Sequence, residues 1–121
     1  MKLSDIHDKL LHEEIITLLE MPNLTSDLTG LKNIIVWVSV GGKTSKHGPR
    51  IKVCKGSSFK PELSSTIPLT GKPRIIGDAD ISLSEFSDII NWIGINRSTI
   101  VNFWNETITS DVMQSSIKKL K

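Results

Sequence analysis

The sequence predicts an α+β fold: an N-terminal helix, a small antiparallel sheet of three to four strands, and two to three C-terminal helices packed on one face. Three observations carry this expectation. Apolar residues alternate between residues 33 and 55, they recur at helical spacing from residue 83 onward, and Gly and Pro residues punctuate the chain between these stretches. At 121 residues, with 38% hydrophobic and 23% charged, the chain is long enough for one core but not for two. The expected layout is a single domain, with a helix over residues 1–22, the sheet over 33–76 and the C-terminal helices over 82–120.

Ser4 can cap the first helix, which runs to Glu20 with Leu11, Ile15, Leu18 and Leu19 at helical spacing; Pro22 ends it. From Asn33 to Val40 the chain reads as a strand with Ile34, Val36 and Val38 on one face and Ile35 and Trp37 on the other. Apolar residues on both faces mark a central strand. Gly41 to Pro49 forms a turn, and over Arg50 to Lys55 the parity puts Ile51 and Val53 inward and Arg50, Lys52 and Cys54 outward. Ser65 to Leu69 and Arg74 to Ile76 can each add a short strand, separated by the turn signal Thr70, Gly71, Lys72, Pro73. Ser82 followed by Glu85 has the form of a capping box, and Leu83, Phe86, Ile89, Ile90 and Ile93 continue as an apolar stripe. Gly94 and Asn96 interrupt that run. Ile100, Phe103 and Trp104 begin a second apolar face, and a last helix from about Ser110 places Val112, Met113, Ile117 and Leu120. The expected core sets Phe86, Ile90, Ile93, Ile100 and Trp104 against Val36, Val38, Ile51 and Val53.

Net charge is only +2, yet its distribution is uneven. Between Leu28 and Pro61 there is no acidic residue, whereas Lys32, Lys43, Lys46, Arg50, Lys52, Lys55 and Lys60 are all cationic. Residues 1–27 and 75–121 carry an excess of acids. A basic block between acidic ends selects an anionic partner, either nucleic acid or an acidic protein surface. The alternative use of such lysines is to keep a sheet edge soluble and unpaired. The candidate binding residues are Lys43, Lys46, His47, Arg50, Lys52 and Lys55. With the side chains of Lys46, Arg50 and Lys52 in solvent, reversing all three to Glu is expected to spare the fold and abolish binding.

Two stretches imitate chemistry. Gly41, Gly42, Lys43, Thr44 follows a strand as a phosphate loop does, but Trp37 stands where the first glycine of that pattern belongs, and Gly48 and Pro49 prevent a helix from opening. Asp78 and Asp80 have a spacing that can hold a hard cation, but they lie just ahead of a helix start, where negative charge is favoured. His7 and His12 are five apart and lack zinc-helix spacing. No cofactor and no metal are expected. Two function classes follow: a non-enzymatic binding module using the basic hairpin, and a small metal-dependent nuclease or hydrolase using Asp78, Asp80 and His47.

His47, Pro49 and Val53 fit a strand written H-x-P-x-x-x-V, and Trp92, Ile93, Asn96, Arg97, Ile100 and Trp104 fit the helix pattern W-[IL]-x-x-[NH]-R-x-x-[IL]-x-x-x-W. Over His47 to Trp104 the chain resembles the small bacterial family called domain of unknown function 4160, encoded beside toxin and antitoxin genes and in mobile elements. It departs from the family in the residues around Gly56 to Pro61, in Gly48 with Arg50 at the strand start, and in the N-terminal helix. The resemblance implies a compact α+β fold and a mobile-element context rather than an activity; in that context the binding module would be an antitoxin-like or phage-encoded accessory factor. No positively charged start is followed by an apolar run, so no leader is expected; no apolar run reaches the roughly 20 residues that span a bilayer, and Cys54 has no second cysteine to pair with. A cytoplasmic protein that does not contact membranes is the expectation. Trp37 is a core residue or, in the alternative, a contact in a homodimer.

Overall fold

The computed structural model describes residues 23–40, 48–56, 58 and 60–120. Among these the chain is α+β, with a four-stranded antiparallel sheet and C-terminal helices. The elements follow in the order β1 (Asn23–Leu24), α1 (Ser26–Thr29), β2 (Ile34–Val38), β3 (Arg50–Lys55), β4 (Ser65–Pro68), α2 (Leu83–Trp104) and α3 (Ser110–Ser116). The N-terminal helix expected between Ser4 and Glu20 lies outside the described residues.

The strands lie in sequence order, each antiparallel to the next. Register follows from strand parity, which decides the face of every side chain. Val36 opposes Val53, Val38 opposes Ile51, and Ile51 opposes Ile67, so these residues share the face toward the helices. Trp37 opposes Lys52, Lys52 opposes Thr66, and Arg50 opposes Pro68 on the other face. All five residues of β2 are buried, as its two apolar faces require of a central strand. Arg74 to Ile76 adds no full strand. It contributes a single bridge, in which Thr66 and Ile76 exchange both backbone hydrogen bonds at 2.8 Å.

The helix α2 begins where its sequence directs. The Ser82 hydroxyl accepts from the Glu85 N–H at 3.1 Å, while the Glu85 carboxylate accepts from the Ser82 N–H at 2.9 Å. The helix then runs unbroken for 22 residues, contrary to the interruption expected at Gly94 and Asn96. Gly94 sits in open space on the exposed side, where its only cost is the weak helix propensity of glycine. Asn96 is buried, and its side chain is fully engaged. Its Nδ2 donates to the Trp92 carbonyl at 3.0 Å and to the Lys118 carbonyl at 2.9 Å, and its Oδ1 accepts from the Lys118 N–H at 2.7 Å. This clamp holds the segment after α3 against α2. The Leu120 N–H donates to the Thr29 carbonyl at 2.8 Å and completes the attachment. Gly30 permits the approach: at φ +80° a side chain is strained, and a Cβ there would stand 2.2 Å from the Leu120 carbonyl oxygen.

The core cluster joins Ile89, Trp92, Ile93, Ile100 and Phe103 of α2 to Val36, Val38, Ile51, Val53 and Ile67 of the sheet, and includes Met113 of α3. The phase of α2 differs from the expected core in three places. Phe86 and Ile90 are only partly buried, and Trp104, although buried, lies outside this cluster. The residues at positions 89, 92, 93, 96, 100 and 103 make the stripe instead, which keeps the i, i+3, i+4, i+7 rhythm in one register.

Candidate anion-binding groove

The outer face of β3 and β4 forms a groove of about 520 Å³, lined by Gly48, Pro49, Arg50, Lys52, Thr66, Pro68, Thr70, Arg74 and Ile76. Its geometry follows from parity. Arg50 and Lys52 are two apart on β3, and Thr66 and Pro68 oppose them on β4, so all four point to the same side. The bridge to Ile76 extends the row Trp37, Lys52, Thr66, Ile76 across the sheet. The turn after β4 then returns Arg74 to the groove. Gly71 takes φ +78° in that turn, a conformation suited to glycine, and the Arg74 Nη1 donates to the carbonyls of Thr70 and Lys72 at 3.1 and 3.2 Å.

Three cations therefore line one concavity, and no acidic residue is among its described lining residues. Two of them are fixed on aromatic faces. The Arg50 guanidinium lies 5.5 Å from the centre of the Trp104 ring, and the Lys52 ammonium 5.3 Å from that of Trp37. Such contacts hold a cation in place without neutralising it. Arg50 also carries an unmet demand: its Nη1 is shielded from solvent and has no hydrogen-bond partner among the described residues. A buried charged N–H left without an acceptor is costly.

These positions modify the expectation that Arg50 and Lys52 stand free in solvent. Both are only partly exposed. Reversing Arg50 to Glu would place a carboxylate on the face of Trp104, so the expected neutrality of the triple reversal toward the fold does not hold at that residue.

Of the remaining sequence candidates only Lys55 is among the described residues. Lys43, Lys46 and His47 lie outside the described residues. Lys55 shares strand parity with Ile51 and Val53, points to the helix side and meets Glu85 at 3.1 Å. The Ser82 backbone N–H lowers the Glu85 pKa; burial opposes this, and the Lys55 ammonium and the Ser82 hydroxyl add to the lowering. A depressed native pKa means that the stabilisation is complete above the unfolded value of about 4.3 and is lost as pH falls through the native value. Glu85→Gln keeps an acceptor for the cap and removes the charge. It should cost about 0.5–1 kcal/mol at neutral pH, with the gap to wild type closing in acid. Urea midpoints of both proteins at neutral and acid pH measure this, and a gap constant across that range would contradict it.

Sequence reading missed Arg74, which lies beyond the basic block. The available signal was the turn Thr70 to Pro73 between two short extended segments, which folds the residues after it back along β4. Asp78 and Asp80 are exposed ahead of α2, and the Ala79 N–H between them donates to the Ser65 hydroxyl at 2.7 Å. Among the described residues no three His, Cys, Asp or Glu side chains come together as a metal site would need. No described helix is long and apolar enough to cross a membrane. No protein-family model, curated protein or solved structure matches the chain. The reading of function thus rests on the groove.

Proposed function

We propose that this protein is a non-enzymatic binding module that engages an anionic partner through the outer groove of β3 and β4. The observation that carries the reading is the convergence of Arg50, Lys52 and Arg74 on one concavity with no carboxylate among its described lining residues. Like charges brought together repel one another, an arrangement that an anion relieves. Arg50 and Arg74 supply planar donors that suit phosphate or carboxylate oxygens, and Lys52 adds a point charge.

Retention on immobilised heparin tests the reading. Lys52→Gln with Arg74→Gln, which removes both charges without setting a carboxylate on Trp37, should shift elution to much lower salt, with apparent affinity at least about tenfold weaker, since long-range attraction and direct contacts are both lost. Lys118→Gln with Lys119→Gln changes net charge equally at an exposed segment and should elute close to wild type. Equal losses in the two variants would show attraction by net charge alone and would remove the groove from the account.

A further inference from the structure

The apolar lining of the groove, interleaved with its cations, narrows the class of partner, on the premise that those cations bind an anion. We infer that the groove takes single-stranded nucleic acid, with a phosphate among Arg50, Lys52 and Arg74 and the adjoining sugar or base against Pro49, Pro68 and Ile76.

Ile76 is 55% exposed although it stands in one row with Lys52 and Thr66. A large apolar side chain left open beside three cations matches a ligand that alternates charge with a flat apolar unit. A nucleic-acid strand has that alternation at every residue. The hydroxyl side chains of Thr66 and Thr70 line the same space and can donate to phosphate oxygens. About 520 Å³ falls within the size of pockets that hold a small organic ligand, and therefore suits a nucleotide unit rather than a broad protein surface.

Backbone pairing argues against an acidic peptide. Extended peptides commonly dock on sheets by adding a strand at an open edge. At Thr66 that position is already taken, because its N–H and carbonyl are both bonded to Ile76. A duplex fits less well for a different reason: it is read by elements that protrude into its grooves, whereas this site is concave. A single strand can place an unstacked base inside a concavity.

The test uses the full chain and fluorescence anisotropy with two labelled probes: an oligo(dT) of about 12 nucleotides, within the site sizes typical of single-strand grooves, and polyglutamate. Oligo(dT) should bind saturably, and at least about tenfold more tightly than polyglutamate. Its log–log salt slope should be about −2, from about 0.7 per phosphate neutralised by three cations. Lys52→Gln with Arg74→Gln should reduce the slope to about −0.7. Ile76→Ser should weaken oligo(dT) binding while leaving the slope unchanged, because it removes apolar contact and no charge. Thermal melting of each variant near the wild-type temperature establishes that the fold is intact. Preference for polyglutamate over oligo(dT) would overturn the nucleic-acid assignment and leave the anion-binding reading standing. Failure to bind either probe, or binding indifferent to Lys52 and Arg74, would overturn both.

Discussion

Trp92→Ala is expected to cost about 3–5 kcal/mol, the range for removing a large buried aromatic side chain, and so to consume much of the roughly 5–15 kcal/mol that stabilises an ordinary domain. Trp92 has no exposed surface and heads the largest fully buried side chains. It stands between Ile89 and Ile93 on the stripe of α2 that closes on the sheet. Its indole N–H has no hydrogen-bond partner among the described residues, so the side chain contributes through volume and contact alone. Trp92→Phe should therefore cost less than half as much, since it keeps most of the ring and removes an unmet donor. Lys119→Ala, at an exposed position, should stay within about 0.5 kcal/mol. Urea midpoints order the three variants. A smaller loss for Trp92→Ala than for Trp92→Phe would reject the packing of α2 on the sheet.

The second large effect is expected at Asn96. Replacing it with Ala removes three hydrogen bonds and leaves the Lys118 carbonyl and N–H in need of new partners, while the Trp92 carbonyl keeps its helical bond. A loss of about 2–3 kcal/mol follows from the cost of unsatisfied polar groups. The effect should also be local. Amide hydrogen exchange at Lys118 and Leu120 should accelerate more than at Val53, because the clamp holds the C-terminal segment while the sheet retains its own ladder. Asn96→Asp keeps the acceptor for the Lys118 N–H and loses the donor side, so it should protect Lys118 partially. Unchanged exchange at Lys118 in Asn96→Ala would contradict the clamp.

Much of the fold can be read from local patterns, and its non-local parts cannot. The capping box of Ser82 and Glu85, the alternation across β2 and β3, and the helix beginning at Ser110 each depend on residues a few positions apart. The short strand β1 does not. Its two residues pair with Trp37 and Val36, and neither its length nor its composition announces that contact. Asn96 reads as a helix interruption when its competing local hydrogen bonds are considered alone. It is suited to the helix here because Lys118, 22 residues on, meets both ends of its amide.

The groove divides in the same way. The cationic block pointed to β3, and strand parity places Arg50 and Lys52 on one face. Parity also sets Lys55 on the other, a consequence of its sharing a face with Ile51 and Val53. Charge counting alone gives it the same weight as its neighbours. The approach of Arg74 depends on the register of β4, on the bridge from Thr66 to Ile76 and on the turn at Gly71. The seats of Arg50 on Trp104 and Lys52 on Trp37 are tertiary as well. Before such contacts are known, a lysine or arginine on a strand reads as a solvated charge.

The most direct test of the central claim is a map of backbone amide chemical shifts as a polyanion is titrated into the ¹⁵N-labelled protein. The largest changes should fall at Gly48, Arg50, Lys52, Thr66 and Thr70, which line the groove, and Glu85 and Lys55 should change little. Largest changes instead at Asn102, Asn105 and Gln114, with the groove amides still, would contradict it and move the binding surface to the C-terminal helices.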